Sequence, residues 1–343
     1  MLASAKRSWV GPGGTHLTLA LAAACTAAAL TIPRRHGDEE GRRGRRQQLL
    51  ASLKAFLLEN SCICAIAALE NRLLIFPPRT RGSLANSLLR QFGESLLFVE
   101  LTGGAQWVLA NVVYKDIPWF APAHLRPTSD WKEHVREWIG LMVPLRALNA
   151  LAIAPVFHFE PQLDRYKELA GFVRSQGVGP FLLKFAVARI FFDLSFYLNH
   201  RSIHHRKLYA AIHSKHHEHH EPGLSTNQHF TVSDLFLEGT APLLAGLGAL
   251  FLLEFFGSRV TRFEATYILV AMLWYLNVSH TGKQVPTGSI FPPLAFIPDI
   301  DAKLGGGVAH HHQHHRAVRC NYGIAAWPDI AFGTKADLRQ LSE

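Results

Sequence analysis

Long uncharged runs, broken at intervals by segments crowded with histidine, constrain this 343-residue chain more than any other feature. Ala265 to Gly282 is eighteen residues without a formal charge, and Gly239 to Leu253 is fifteen, continuing past Glu254 through Phe255 and Phe256. Trp138 to His158 is interrupted only by Arg146, and Phe181 to Leu198 only by Lys184, Arg189 and Asp193, while His16 to Pro33 has no charge at all. A helix that crosses a bilayer needs about 20 mostly apolar residues, so several of these runs are slightly short. Buried core helices of a soluble protein are the competing reading. The number of runs, and the Trp and Tyr near their ends, favour an integral membrane helical bundle. No strand-like alternation of useful length, solenoid repeat or heptad array is visible, so the fold class is all-α.

The formal net charge is +9, with basic residues gathered at the flanks of the apolar runs, above all between Arg34 and Arg46. If the preceding run spans, the positive-inside tendency puts that arginine-rich segment in the cytosol. It has no interleaved aromatics, so a nucleic-acid partner is not expected. The first thirty-odd residues, with Lys6, Arg7 and no acid before Asp38, also suit a signal or transit sequence. The four cysteines, Cys25, Cys62, Cys64 and Cys320, form no CxxC pair and read as reduced thiols. The expected organisation is an apolar and Arg-rich segment over 1–47, a helical region without assigned chemistry over 48–142, a domain of long apolar helices separated by histidine-bearing segments over 143–334 and a tail over 335–343. Amphipathic patterns over Leu49 to Leu58 and Leu84 to Leu97 predict helices in the second of these, with breaks at Pro77-Pro78 and Pro118 to Pro127.

Thirteen of the twenty histidines fall in two short segments, HRSIHHRKLYAAIHSKHHEHHEP from His200 to Pro222 and AHHHQHHRAVRCNYG from Ala309 to Gly323. Helical residues at i, i+3 and i+4 share a face. His200 and His204 are spaced i, i+4, while His213, His216, His217 and His311, His314, His315 are both spaced i, i+3, i+4. Each set therefore offers imidazoles from one face to grip a cation jointly, and eight rings exceed one tetrahedral site, so two metal ions are expected. His280, at the end of a long apolar run, is an additional candidate ligand. Asp193 stands two turns before His200, either behind a ligating ring or paired with Arg189. Spacing alone leaves the shifted set His216, His219, His220 open, and His310 is equally ambiguous.

These residues resemble the fatty acid hydroxylase/sterol desaturase superfamily of membrane histidine-box oxidases. The first string looks like that family's HxxxH and HxxHH boxes, with Leu208, Tyr209 and Ile212 between them. The second is an HxxHH box followed by Asn321-Tyr322-Gly323, and His280-Thr281-Gly282 with Pro286 looks like its H-[ST]-G segment. The family places a proline five residues after the second box, where Pro222 stands, and this register selects His213, His216 and His217. By the same logic the third box is His311, His314 and His315. His229 resembles a family histidine usually followed by proline, although Phe230 follows here, and the position four before His280, histidine in some relatives, is Leu276. His229, His312, Asp193 and Asn321 are secondary candidates, as ligands or as groups behind them.

The resemblance, which covers roughly Val143 to Thr334, implies a transmembrane helical bundle with the boxes gathered in a cytosol-facing cap, most naturally in the endoplasmic reticulum. A plastid or other organelle membrane applies if the N-terminus is a transit sequence. It further implies two Fe ions, the use of O2 to hydroxylate or desaturate a lipid C–H bond, and an external electron donor such as cytochrome b5 with its reductase. Imidazole suits iron but does not by itself select it. The chain has no haem, flavin or dinucleotide motif of its own. An all-imidazole shell leaves the metals' charge uncompensated, so a bridging hydroxide or a carboxylate is expected, with Glu218, Glu221 and Asp234 unranked candidates. The pattern HRxxHHxxLYxxIHxxHH looks most like the sterol 4-methyl oxidase branch, which tilts the substrate toward a sterol. The competing classes are a histidine-rich metal-binding or transport protein, which would not need three ordered boxes, and a catalytically silent family member.

Overall fold

In a computed structural model, the described residues are 39–72, 84–127, 138–148, 178–283 and 304–336, with isolated positions at 132, 135, 136, 150, 151 and 285. The apolar run His16 to Pro33, Arg34 to Asp38, Pro77-Pro78, Pro286 and the tail beyond Ala336 lie outside them. Among the described residues the ordered elements are all helical, as expected, apart from one isolated bridge between Trp119 and Lys283.

Helix α1 (Glu39–Arg72) and α2 (Leu84–Val108, followed by a π-turn over Leu109–Val113) pack together and against the helix Arg262–Val278. A short apolar helix, α3, covers Ile139–Leu148. The long helices α4 (Val178–Ile203), α6 (Val232–Phe255) and α7 (Arg262–Val278) form the centre of the bundle. The short α5 (Arg206–Ile212) follows α4 directly, and α8 (Gly307–Ala317) and α9 (Ala326–Ala331) close the C-terminal end. The apolar runs expected to be helical between Phe181 and Gly282 lie on α4, α6 and α7. Among the described residues, only α6 is both long and apolar enough to cross a membrane.

The charges that interrupt the apolar runs are paired inside the bundle. Lys184 of α4 donates to Glu264 of α7 at 2.8 Å with both side chains buried. Glu264 also completes the capping box that starts α7: its carboxylate accepts from the Thr261 backbone N–H, and Thr261 Oγ1 accepts from Glu264 N. Arg189 donates to Asp193 one turn along α4 at 2.7 Å and stacks over the Tyr275 ring at 4.5 Å. On the other side of α7, the buried carboxylate of Glu59 accepts from Trp274 Nε1 at 3.0 Å and from the Tyr114 hydroxyl. The Lys184–Glu264 and Arg189–Asp193 pairs let charged residues sit inside an otherwise apolar core, because a buried charge is tolerated only when it is partnered.

Candidate metal centre

At one end of this bundle α4, α5, the turn His216–Glu218, the end of α7 and α8 converge, and every one of the nine predicted ligands falls in one of two buried groups. In the first, the Nε2 atoms of five histidines close a circuit. His200 to His213 is 3.1 Å, His213 to His217 3.0 Å, His217 to His314 3.1 Å, His314 to His204 3.1 Å, and His204 back to His200 3.2 Å. The second group joins His216, His280, His311 and His315, with Nε2 separations of 3.2 Å from His216 to His280 and 2.9 Å from His280 to His311.

The boxes do not each serve one ion, as the spacing suggests. His213 and His217 belong to the first group and the intervening His216 to the second, whereas His311 and His315 belong to the second and His314 to the first. The i, i+4 pair of each HxxHH thus stays together and the i+3 ring crosses over. The second box is also not on a continuous helix: α5 ends at Ile212, His213 is its C-cap, and His216–Glu218 is a separate 3₁₀ turn.

Six of the nine rings have Nδ1 held by an acceptor. His200 Nδ1 donates to the Tyr322 carbonyl (2.6 Å), His314 to that of Cys320 (2.7 Å), His315 to that of His219 (3.0 Å) and His216 to that of His229 (3.4 Å). His213 Nδ1 meets both oxygens of Asp234 at 2.9 Å, and His280 Nδ1 meets Asn227 Oδ1 at 2.8 Å. With the proton committed to Nδ1, each of these Nε2 atoms carries a lone pair and aims it at the others. Lone pairs 3 Å apart repel, so the arrangement makes sense around a cation. Donors about 2.1 Å from a metal and at right angles to each other stand about 3.0 Å apart, which matches the observed separations. Burial, with the neighbouring imidazoles adding to it, pushes His213, His216, His311 and His315 well below the usual imidazole pKa. Burial first also takes His280 down to about 3 and His314 to about 4. The rings are therefore neutral at pH 7, as ligands must be. A pair of ions of the kind imidazole binds fits these two donor sets.

The secondary candidates sit outside both groups. Asp193 takes the salt-bridge alternative, and its second oxygen accepts from Trp327 Nε1 at 3.0 Å. His229 pairs with Glu218 at 2.8 Å and lies flat on His219, contributing its carbonyl rather than its ring. His312, off the face of α8 shared by the three box rings, meets Glu221 at 2.8 Å. Asn321 caps the chain reversal after α8: its φ is +57°, and its Oδ1 accepts from Ala336 N. Of the other histidines, His205 caps α5 and His310 meets Asp329 at 3.1 Å. Of the acids considered, Glu218 and Glu221 are engaged outside the groups, and Asp234 holds a ring from behind.

Three supporting residues carried no signal in the sequence: Asn227, Glu238 and Asp329. Asp329 accepts from Tyr322 N and Gly323 N at 2.8 and 2.7 Å, and so fixes the turn whose carbonyl holds His200. Two glycines explain motif positions. A Cβ at Gly323 would lie 2.2 Å from the Ala325 carbonyl, and Gly282, at φ +68°, is met by the Pro222 carbonyl where a Cβ would be 2.5 Å away. The H-[ST]-G segment and the proline after the second box are thus in contact. A cavity of about 620 Å³ runs between α2, α3, α6 and α7 and reaches His280, with Trp119, Phe196, Phe230 and Glu238 also in its wall.

Comparison with known proteins agrees with this geometry. A very-long-chain aldehyde decarbonylase of Oryza sativa is 29% identical over 154 residues, 43% of this chain and 50% of that protein. A Delta(7)-sterol 5(6)-desaturase of Schizosaccharomyces pombe is 25% identical over 186 residues, 54% of each chain. Methylsterol monooxygenase 1 of Rattus norvegicus is 27% identical over 152 residues, 44% of this chain and 46% of that protein. The chain thus spans about half the length of these curated relatives. No solved structure matches it. Residues 185–334, which contain all nine rings of the two groups, match the family model for fatty acid hydroxylase.

Proposed function

We propose that the protein is an O2-dependent, di-iron membrane oxidoreductase that hydroxylates or desaturates a C–H bond of a lipid, a sterol or a fatty acyl chain. The observation that carries this reading is the pair of inward-facing imidazole groups, with Nδ1 protons held from behind, beside a cavity that reaches His280. The names of the relatives, a sterol desaturase and a methylsterol monooxygenase among them, support lipid oxidation as the reaction class. His200, His204, His213, His217 and His314 would hold one iron, and His216, His280, His311 and His315 the other. Bound there, the irons would supply the activation of O2 needed to attack an unactivated C–H bond.

The remaining roles fall to this chain's own residues. The cavity volume is within the range of small-molecule sites, about 300–1,000 Å³. Phe196, Phe230, Leu145 and Leu276 form apolar wall that keeps water from the reacting carbon, while Gln228 and Arg146 are placed to meet a polar end of the substrate. Asp234, Asn227 and the carbonyls of Tyr322, Cys320, His219 and His229 hold the rings in orientation.

Membrane embedding is supported by α6 and by the apolar side chains turned outward: Leu183, Ile190 and Leu198 along α4, and Phe255 and Phe256, 83% and 75% exposed, at the end of α6. The histidine boxes face the cytosol in this reading, in the endoplasmic reticulum or an organelle membrane, and cytochrome b5 with its reductase is the expected kind of electron donor. The test is metal content of detergent-purified protein, followed by a lipid screen with O2 and a reducing system. About two irons per chain and an oxidised sterol or acyl product are expected. Variable, loosely held zinc with no product would overturn the oxidase reading in favour of metal handling.

A further inference from the structure

Glu238 is 3% exposed and lies in the π-turn Phe236–Thr240 that interrupts α6. π-turns inside helices recur at functional sites because the extra residue re-aims a side chain. This turn is pinned, since Asn199 Nδ2 donates to the Leu237 carbonyl at 2.9 Å. It directs Glu238 Oε1 to 3.1 Å from His200 Nε2 and 3.5 Å from His213 Nε2. That oxygen is buried and makes no hydrogen bond. The two nitrogens it approaches have no proton to offer, because His200 and His213 have committed theirs to the Tyr322 carbonyl and to Asp234. A carboxylate oxygen against two lone pairs is in the same position as the five imidazoles among themselves, and it meets that donor set on its His200 and His213 side.

Charge points the same way. Five neutral imidazoles leave a divalent ion uncompensated in a buried site, and a carboxylate removes part of that excess. Neither histidine group contains an acid of its own, and the two acids that stand close to them, Asp234 and Glu238, gather around His213 of the five-histidine group. The circuit of five short Nε2 separations is also what a square pyramid of donors gives and a trigonal bipyramid does not, and a square pyramid lacks one position of an octahedron.

We propose that Glu238 is the carboxylate ligand of the five-histidine centre, so that this centre is six-coordinate while the four-histidine centre, with fewer donors, keeps open positions for chemistry. The inference rests on the metal-bearing reading above and divides its two ions into a closed and an open one.

The test loads the metal-free full chain in detergent with Co(II), and compares the parent with Glu238→Gln and Glu238→Asp. The parent is expected to bind two ions, with the weak visible bands of a six-coordinate ion for one of them, and a carboxylate stretch in its metal-minus-apo infrared difference spectrum. Glu238→Gln is expected to hold one of the two ions about 10–100-fold more weakly, with stronger, lower-coordinate bands and no carboxylate stretch. Glu238→Asp should lie between. Two ions held by Glu238→Gln with parental affinity and spectrum would overturn the proposal and leave the metal-bearing reading intact. A parent that binds no metal at the histidines would overturn both. Should Glu238→Gln not fold, the parent's infrared spectrum decides alone: absence of a metal-dependent carboxylate stretch overturns the proposal.

Discussion

Asp234 grips the Nδ1 of His213 with both carboxylate oxygens at 2.9 Å, and neither group has access to solvent. The pair fixes the tautomer of a ring that sits in the first histidine group next to both His200 and His217. Asp234→Ala would leave the His213 N–H buried without a partner, which costs about 1–3 kcal/mol. It would also let the ring turn, so the protein should hold one of its two metals about 10–100-fold more weakly in a chelator competition. Unchanged retention of both metals would mean that the carboxylate is only a structural contact.

The exchange of rings between boxes separates two double substitutions that look equivalent in the sequence. His213→Ala with His217→Ala removes two donors from one group and none from the other, so metal content should fall from about two to about one per chain. His216→Ala with His314→Ala removes one donor from each, so both ions should be bound more weakly. Elemental analysis after dialysis against a fixed chelator concentration reads the difference. Equal losses in the two variants would contradict the division of the rings.

The metal-free protein should lose stability as the pH falls. His280 and His314 stay neutral in the folded chain down to about 3 and about 4, chiefly because of burial. In the unfolded chain the same rings take up protons below about 6.5. Between that value and the folded values the unfolded state binds more protons, so unfolding free energy declines with falling pH, by about 1 kcal/mol per pH unit for each such ring. Denaturant titrations between pH 7 and pH 5 measure it. A flat profile would show that these rings are not held neutral by the fold.

Gly282→Ala combines a positive φ with a Cβ placed 2.5 Å from the Pro222 carbonyl oxygen. A side chain in that backbone region costs about 1–3 kcal/mol, and relief of the clash would separate the loop after the second box from the end of α7. The melting temperature should fall, and binding at the four-histidine group should weaken because His280 is two residues away. Gly248→Ala, where a Cβ meets nothing within 4 Å, is the matched control and should behave as the parent.

Residue order was enough for the helical class and for the positions of α4, α6 and α7, because apolar patterning is a local property, and ordered histidine spacing marked the segments whose rings converge without choosing between the two registers of the second box. The resemblance selected the register His213, His216, His217, and His213 lies in the first group whereas His219 lies outside both. What the tertiary structure alone decided is how the rings are shared. Helical spacing says which side chains neighbour each other along one segment, but not that His216 leaves His213 and His217 to meet His280, or that His314 crosses to His204. It also decided which groups stand behind the ligands. Asp193 is well spaced for that role yet is taken by Arg189 and Trp327, while Asn227, Asp234 and Asp329 reach the site or its framework from three separate elements. Glu238 owes its direction to one extra residue in a helical turn that no pattern of residue types announces. Such contacts depend on where elements distant in sequence are brought to rest, and packing, not periodicity, sets that.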